Sequence, residues 1–514
     1  MASIDNESII KSVPQKGFFG HPRGLFTLFF TEFWERFSYY GMRAILLYYL
    51  YTETVNGGLG FDKGTAVAIM SIYGSLVYMS SIIGGWLADR VFGTANTVFY
   101  GGIFIMFGHV ALAYPGSATA FYISMALIII GTGLLKPNVS SVVGDLYTKE
   151  DPRRDSGFSI FYMGINLGGL LAPLIVGTLG QKYNYHLGFG AAAVGMLLGL
   201  IVFALTRKKN LGIAGSNVPN PLSKKSAIGT GIGVIIVAIA AIIAVQTGVL
   251  TINRFINLVS ILGILIPIVY FIIMFTSKKA DKTEKSRLAA YVPLFIAAVM
   301  FWAIQEQGAT ILALYADERT RLSLGGLELQ SSWFQSLNPL FIVIFAPIFA
   351  WLWMKLGKRQ PSTPVKFSIG IILAGLSFII MVFPAMQGKE ALVSPLWLVL
   401  SFLLVVLGEL CLSPVGLSVT TKLAPAAFSA QTMSMWFLTN AAAQAINAQV
   451  AGLFDKIPET IYFGTIGLIS IVLGGILLLI SPIIKRAMKG SYNKKTACRF
   501  WRAVFYLSIH LLKL

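Results

Sequence analysis

The sequence contains a series of apolar blocks, each about 20 or more residues long, which is the length an α-helix needs to cross a bilayer. Backbone groups in lipid must form their hydrogen bonds within their own segment, so these blocks are predicted to be helices. The composition agrees, because 56% of the 514 residues are hydrophobic and 12% are charged, about half the charged fraction of soluble domains. The chain is therefore predicted to be an all-α integral membrane protein.

Fourteen spans are predicted, in three groups. The stretches Gly131–Val142 and Gly408–Val419 resemble each other and occupy the fourth span of the first and last groups. Two related six-helix halves with a site at their interface are typical of transporters. The predicted domains are an N-terminal cytoplasmic segment (1–21), a six-helix bundle (22–206), a linker with two additional spans (207–283), a second six-helix bundle (284–485) and a basic cytoplasmic tail (486–514). The tail is predicted to be either loosely ordered or an amphipathic helix at the membrane surface.

The net charge of +19 is concentrated in the links on one side of the predicted spans. In a soluble protein this charge would suggest nucleic acid as a partner, but beside apolar blocks it favours anionic lipid headgroups. The positive-inside rule places the basic links in the cytoplasm. We therefore expect a multi-pass protein of the cell (plasma) membrane, with both termini cytoplasmic, in contact with the lipid bilayer and with no nucleic acid. No cleavable signal peptide is visible.

The sequence supports no enzymatic chemistry. The two cysteines, Cys411 and Cys498, offer neither a metal cluster nor a disulfide framework. The four histidines lack the spacing of a zinc site. A P-loop motif is absent, so ATP is not expected to drive the protein. We expect no enzyme activity, no bound metal and no cofactor.

Ionisable residues inside the first span carry the main functional signal. Glu32, Glu35, Arg36 and Arg43 lie near its middle. Each costs about 2.5–3.5 kcal/mol at the membrane centre, so four cost on the order of 10 kcal/mol or more, which the apolar residues of one span do not offset. Together with Tyr40 they follow steps of three, four and seven, which place them on one helix face. This face is predicted to point at protein or water.

Three further ionisable residues lie inside other spans, namely Lys136, Glu306 and Glu409. The predicted core thus combines three cations with four carboxylates, and the surplus carboxylate is a candidate proton carrier. Opening and closing an ion pair changes how readily its carboxylate binds a proton, which is a physical basis for proton coupling. The alternative is that these pairs only fasten helices. Their distribution over both halves favours a function.

Two asparagines and three aromatic residues give weaker signals. Asn166 and Asn338 are predicted either to hydrogen-bond the peptide groups of a ligand or to bond between helices. Tyr78, Trp302 and Trp436 are predicted either to line a pocket or to pack in the core. The glycines of two pairs are expected to allow close helix contacts: Gly84, Gly85, Gly168 and Gly169.

Several motifs resemble a known family. The segment Glu32-x-x-Glu35-Arg36-Phe37, followed by Tyr39-Tyr40-Gly41, resembles the hallmark of the proton-dependent oligopeptide transporter family of the major facilitator superfamily, bacterial type. Its other signatures are similar to Gly133-Leu-Leu-Lys136-Pro137-Asn138, Phe161-Tyr-x-x-Ile165-Asn166-x-Gly168, Gln305-Glu306-Gln307-Gly308 and Glu409-Leu-Cys-Leu-Ser413-Pro414. The resemblance spans about residues 20–485. It implies the major facilitator fold with two extra helices inserted between the bundles.

The resemblance also implies roles for individual residues. The implied proton-coupling residues are Glu32, Glu35, Arg36, Lys136 and Glu306. The implied substrate-binding residues are Arg36, Tyr40, Arg43, Tyr78, Lys136, Asn166, Trp302, Asn338, Glu409 and Trp436. The implied gating pairs are Arg43 with Glu306 on the outer side and Lys136 with Glu409 on the inner side.

The resemblance therefore implies a proton-coupled symporter that imports di- and tripeptides by alternating access. A zwitterion needs a cationic and an anionic pole, and here the cations come from one half and Glu306 and Glu409 from the other. Bridging the halves would couple binding to their rocking motion. The expected partners are peptides and protons, with the proton gradient as the driving force and a monomer as the functional unit. The alternatives are the same fold carrying another small solute such as nitrate, and a membrane receptor or intramembrane enzyme without solute flux.

Overall fold

The computed structural model describes residues 6–115, 118–148, 151–388, 391–454 and 456–490. The predicted tail beyond residue 490 lies outside these residues. The described chain is built from long helices, joined by short turns and by one small antiparallel hairpin of β1 (Ser323–Leu324) and β2 (Leu327–Glu328). The prediction of an all-α protein is confirmed.

The first group of helices follows a short N-terminal helix, α1 (Asn6–Ser12). Six long helices come next: α2 (Gly24–Tyr51), α3 (Lys63–Leu87), α4 (Thr94–Ala113), α5 (Ala118–Asp145), α6 (Arg154–Thr178) and α7 (Tyr185–Asn210). The extra pair is α8 (Lys224–Gln246) and α9 (Ile252–Thr276).

The second group contains seven helices that form six spans. They are α10 (Lys282–Glu306), α11 (Ile311–Glu318), α12 (Leu337–Leu356), α13 (Thr363–Ala385), α14 (Leu396–Leu423), α15 (Ser429–Val450) and α16 (Glu459–Met488). Helices α10 and α11 belong to one span that is interrupted by a 3₁₀ turn, Gln307–Ala309. A capping box starts α10, in which the Asp281 carboxylate accepts from the Glu284 backbone N–H and the Glu284 carboxylate accepts from that of Asp281.

Within the described residues, twelve helical segments are long and apolar enough to cross a membrane. Helices α2 and α15 complete the fourteen predicted spans. Helix α2 carries the cluster of charges from the sequence analysis, and α15 is rich in Asn, Gln and Thr. Both owe their low hydropathy to polar residues that point into the protein, where Glu35 and Thr439 are fully buried.

Apolar side chains are distributed as a bilayer requires. Large residues such as Phe189 and Phe301 are buried inside the bundles, whereas others such as Ile201 and Leu479 are exposed on the outside. An exposed apolar surface of this extent is incompatible with water and fits contact with lipid. No described side chain of α8 is buried.

Glycines allow close helix contact at some of the predicted positions. A Cβ atom on Gly84 would lie 1.9 Å from the Gly133 carbonyl oxygen, so α3 and α5 cross there backbone to backbone. A Cβ atom on Gly168 would lie 2.4 Å from the Phe33 oxygen. The expectation for Gly85 was wrong, because nothing lies within 4 Å of a Cβ atom built there. One residue along a helix turns the side chain by about 100°, enough to leave the interface.

Helix α9 contacts both halves of the protein. A Cβ atom on its Gly263 would lie 2.8 Å from Ala445 Cβ on α15 and 3.3 Å from Ser75 Oγ on α3. Ser75 in turn donates to the Ala441 carbonyl oxygen at 2.9 Å. Helix α9 of the inserted pair therefore packs at a seam between the two bundles.

The segment before α2 folds against the α5–α6 connection. His21 Nδ1 and the Tyr147 hydroxyl are hydrogen-bonded at 3.0 Å. Arg153 donates to the carbonyl and side-chain oxygens of Gln15, both at 3.2 Å. Burial, followed by the nearby Arg153 guanidinium, lowers the pKa of His21. A hydrogen bond from Arg153 lowers the pKa of Asp151 in the same connection.

Candidate functional site

A cavity of about 350 Å³ lies between the two six-helix groups. Both groups contribute charged, amide and aromatic side chains to its wall. From the first group these are Tyr39, Tyr40, Arg43, Tyr78, Lys136, Tyr162 and Asn166. From the second they are Trp302, Gln305, Glu306, Gln335, Asn338, Glu409, Trp436, Phe437 and Asn440. The wall thus includes all the predicted substrate-binding residues except Arg36.

The charges of α2 form a compact buried cluster. Arg36 Nε lies 3.0 Å from Glu32 Oε1 and also pairs with Glu35. The side chains of Arg36, Glu32 and Glu35 are 3%, 3% and 0% exposed. The Arg36 guanidinium also lies 5.4 Å from the centre of the Tyr39 ring and 6.0 Å from that of Tyr40. Arg36 is therefore paired with these two carboxylates beside the cavity and does not line it in this conformation.

Lys136 contacts an aromatic ring. Its Nζ lies 4.2 Å from the centre of the Tyr78 ring, a favourable cation–π geometry. Pro137 follows it inside α5, and Pro414 holds the matching place in α14. Among the described residues, no carboxylate oxygen lies within 4.0 Å of Lys136 Nζ.

The predicted inner pair, Lys136 with Glu409, is therefore not formed in this structure. Glu409 Oε2 instead accepts a hydrogen bond from Asn338 Nδ2 at 3.3 Å. The two charges line the same cavity from opposite bundles. The physical reason is the conformation: an ion pair across the two bundles forms only when their helices approach on that side.

The predicted outer pair is formed. Arg43 on α2 pairs with Glu306, the last residue of α10. Arg43 is 15% exposed and Glu306 4%. Two amides of α15 also bind this carboxylate: Asn440 Nδ2 donates to Oε1 at 3.0 Å and Gln444 Nε2 to Oε2 at 2.7 Å. The carboxylate is thus fixed by three donors from two helices, α2 and α15.

Sequence reasoning missed Asn440 and Gln444. With Asn447 they follow steps of four and three, so they share one face of α15. Three amides on one face of a membrane helix are a signal that would have marked a buried polar interface. Tyr162 was also missed: it lines the cavity one turn before Asn166, whose amide donates to its carbonyl oxygen at 2.9 Å.

The two ends of the helices differ in charge. On one side of the bundles, basic residues lie close to the helix ends: Arg153, Arg207, Lys225, Lys285 and Lys358. We call this side the basic face. The opposite face is the side of the α2–α3 and α6–α7 connections and of the β1–β2 hairpin.

The cavity is closed toward the opposite face. There the Tyr51 hydroxyl donates to Asp317 Oδ2 at 2.5 Å, and Trp333 Nε1 donates to Thr178 Oγ1 at 2.9 Å. Each bond joins one bundle to the other. The inter-bundle contacts of Tyr51, Trp333 and Arg43 all lie on the opposite-face side of Lys136 and Glu409. The opening of the cavity therefore points to the basic face.

The described residues contain no group of three or more His, Cys, Asp or Glu side chains placed to hold a metal ion. Cys411 is a buried free thiol. The site is thus made of ion pairs, amides and aromatic rings, a set suited to binding and releasing a polar organic solute.

Two helical bundles around a charged, half-closed cavity define a secondary transporter with the major facilitator fold. The family model described as the POT family, the proton-dependent oligopeptide transporters, matches residues 95–469. The chain belongs to this family, as its motifs indicated. It is a transporter and not an enzyme.

Comparisons with individual proteins agree. The chain is 96% identical over 490 residues to the uncharacterized transporter YclF of Bacillus subtilis (strain 168), covering 95% of this chain and 100% of the relative. It is 52% identical to a di-/tripeptide transporter of Lactococcus lactis subsp. cremoris, covering 92% and 97% of the two chains. A crystal structure of a peptide transporter POT in complex with sulfate matches with a TM-score of 0.92 at 66% identity, covering 95% and 100%.

Proposed function

We propose that this protein is a proton-coupled symporter that imports di- and tripeptides by alternating access. One observation carries the proposal: Lys136 and Glu409 face the same cavity from opposite bundles without an ionic partner among the described residues. A peptide is a zwitterion that offers a carboxylate to the first and an ammonium group to the second. Relatives named as di-/tripeptide and peptide transporters support the choice of cargo.

The rest of the cavity suits the remaining parts of a small peptide. Asn166 and Asn338 are proposed to bind its backbone, and the rings of Tyr40, Tyr78, Trp302 and Trp436 to contact its side chains. A volume of about 350 Å³ admits a ligand of this size but not a long chain. Arg43 and Arg36 would add positive charge on the side of the peptide carboxylate.

Proton coupling is assigned to the two sites where carboxylates meet arginines. In the α2 cluster, Arg36 faces Glu32 and Glu35, so one cation serves two carboxylates. A proton on one of them removes the excess negative charge. At the second site, protonation of Glu306 would weaken its pair with Arg43 and so favour opening toward the opposite face. Lys136 lies next to the peptide site and would relay peptide binding to the α2 cluster.

Alternating access follows from the two gating pairs. We propose that the bundles of residues 22–206 and 284–485 rock against each other, breaking the Arg43–Glu306 pair while Lys136 and Glu409 approach. The basic face is proposed to be cytoplasmic in the cell membrane, with both termini on that side. The protein would work as a monomer, driven by the proton gradient and without a cofactor.

Uptake of a labelled dipeptide into proteoliposomes tests the proposal. We expect an acidic exterior to stimulate uptake, and dissipation of the gradient by a protonophore to abolish the stimulation. Unlabelled di- and tripeptides should compete, and nitrate should not. Uptake that ignores the gradient, or peptide binding without flux, would refute the proposal.

A further inference from the structure

Glu306 is held by two amides from one helix. Asn440 Nδ2 and Gln444 Nε2 each donate to a different oxygen of the carboxylate, at 3.0 and 2.7 Å. Asn440 and Gln444 are 4% and 2% exposed, so water does not compete for these bonds. Other charged or titratable groups that face Glu306 are Arg43, Tyr39 and Tyr40 on α2, Tyr78 on α3, Lys136 on α5 and Glu409 on α14. Among them Arg43 makes a direct contact with the carboxylate.

In both amides the carbonyl oxygen accepts no hydrogen bond. Asn440 Oδ1 and Gln444 Oε1 are buried, and neither has a hydrogen-bond partner. A buried polar atom without a partner is costly and calls for an explanation. An amide carries a donor and an acceptor at the same distance from the helix, so half a turn about its last bond exchanges them. A carboxylate accepts only, whereas a protonated carboxyl group also needs an acceptor for its O–H.

We propose that Asn440 and Gln444 are positioning residues that hold Glu306 in both of its protonation states. Their N–H groups bind the ionised carboxylate, and after the amide turns, a carbonyl oxygen accepts from the protonated carboxyl group. This inference rests on the proposed proton-coupled function. It explains why α15 places amides, and not charged groups, opposite a carboxylate.

The arrangement also links Glu306 to the other bundle. Gln444 lies against Gly74 of α3, where a Cβ atom would come within 2.5 Å of Gln444 Nε2. One turn earlier on α15, the Ala441 carbonyl oxygen accepts from Ser75 Oγ. Rotation of the Gln444 amide therefore changes the group that α3 touches at the seam. Protonation of Glu306 would thus change this contact between α15 and α3, in addition to weakening the pair with Arg43.

The first test is Gln444→Met, which keeps the length of the side chain and removes the amide. A hydrogen bond to an ionised carboxylate is about twice as strong as one to a neutral group. Removal of the Gln444 amide therefore destabilises ionised Glu306 more than protonated Glu306. The pH at which proton-driven uptake is half-maximal should rise by about one unit, a tenfold change in proton affinity. The matched control is Asn447→Leu, which removes a buried amide of α15 that binds Ala303 and Gln307 but not Glu306. It should leave this pH midpoint unchanged even if it lowers the rate.

Gly74→Ala tests the same contact from the other bundle. The added methyl group pushes the Gln444 amide away from Glu306 but removes no polar group from the chain. The pH midpoint should rise, by less than in Gln444→Met. This variant decides the question if Gln444→Met does not fold.

The acceptor role is tested in the Glu306→Gln background. The amide introduced by that change resembles the protonated carboxyl group, because it offers an N–H in place of the O–H. Adding Gln444→Met should therefore reduce counterflow exchange below that of Glu306→Gln alone. Equal exchange would refute the acceptor role. Unchanged pH midpoints in both Gln444→Met and Gly74→Ala would overturn the whole inference, whereas a wild type without proton dependence would instead overturn the proposed function.

Discussion

The Arg43–Glu306 pair offers the sharpest test of how the cavity is closed. The change Glu306→Gln keeps the size of the side chain and removes its charge. Both side chains are largely buried, so salt screens their interaction little. A hydrogen bond to a charged group contributes about 1.5–3 kcal/mol. Its loss should move the balance between closed and open forms of the opposite face about 10- to 150-fold toward the open form.

Labelling of a cysteine at the seam measures this shift. Ser332 is fully buried and lies against Gly177 of the other bundle, so Ser332→Cys reports opening toward the opposite face. The native cysteines, Cys411 and Cys498, are first replaced by Ser. A membrane-impermeant maleimide should label the Glu306→Gln variant about tenfold faster, or more, than its parent. Gradient-driven uptake should be lost while some counterflow exchange remains.

The control is Glu459→Gln, which breaks another buried pair with an arginine. Glu459 Oε1 lies 3.2 Å from Arg319 Nε, and both residues belong to the second bundle. Its loss should lower thermal stability without faster labelling, because it does not join the bundles. If Glu306→Gln labels at the parent rate, or if both variants label equally fast, the Arg43–Glu306 pair does not hold the opposite face closed.

Three further predictions follow from single contacts. Glu409→Gln removes the partner of the peptide's amino group and should weaken dipeptide binding about 10- to 150-fold. In competition assays, the affinity for an N-acetylated dipeptide should stay nearly unchanged. Gly84→Ala should destabilise the protein by about 1–3 kcal/mol because its methyl group meets the Gly133 backbone, whereas Gly85→Ala should not; thermal unfolding in detergent compares the two. The pKa of His21 is lower in the folded protein than the unfolded-state pKa of about 6.5. The packing of residues 9–23 against the α5–α6 connection is therefore fully stable above about pH 6.5 and weakens as the pH falls below that value. Hydrogen exchange of that segment should thus lose protection at acidic pH in the wild type, and less so in His21→Gln; equal loss in both would contradict this.

Much of the fold was predictable because its causes are local. The length and hydropathy of each block set the number of spans, and the cost of a charge in lipid sets which face of α2 points inward. The break at Gln307–Ala309 was not predicted: each span was expected to be one helix, but in the first span of the second bundle α10 ends at Glu306 and α11 begins at Ile311. Nothing in the apolar pattern distinguishes a straight span from a broken one.

The site was predictable as a set of residues, but not as a set of partners. The cost of burying charge singled out Lys136, Glu306 and Glu409 one by one. Whether Lys136 meets Glu409, or rests on Tyr78 instead, depends on the distance between helices of different bundles, which changes as the protein opens and closes.

Membrane spanning and the inward orientation of the charges follow from single segments of the chain, since hydropathy and the cost of ionisation belong to each segment alone. The folded structure was needed to show that Arg36 pairs with carboxylates beside the cavity, that Gly84 and not Gly85 meets its neighbour, and that the amides of Asn440 and Gln444 bind Glu306. These facts depend on the packing of helices far apart in the chain, and hydrogen bonds and ion pairs form only over a few ångströms.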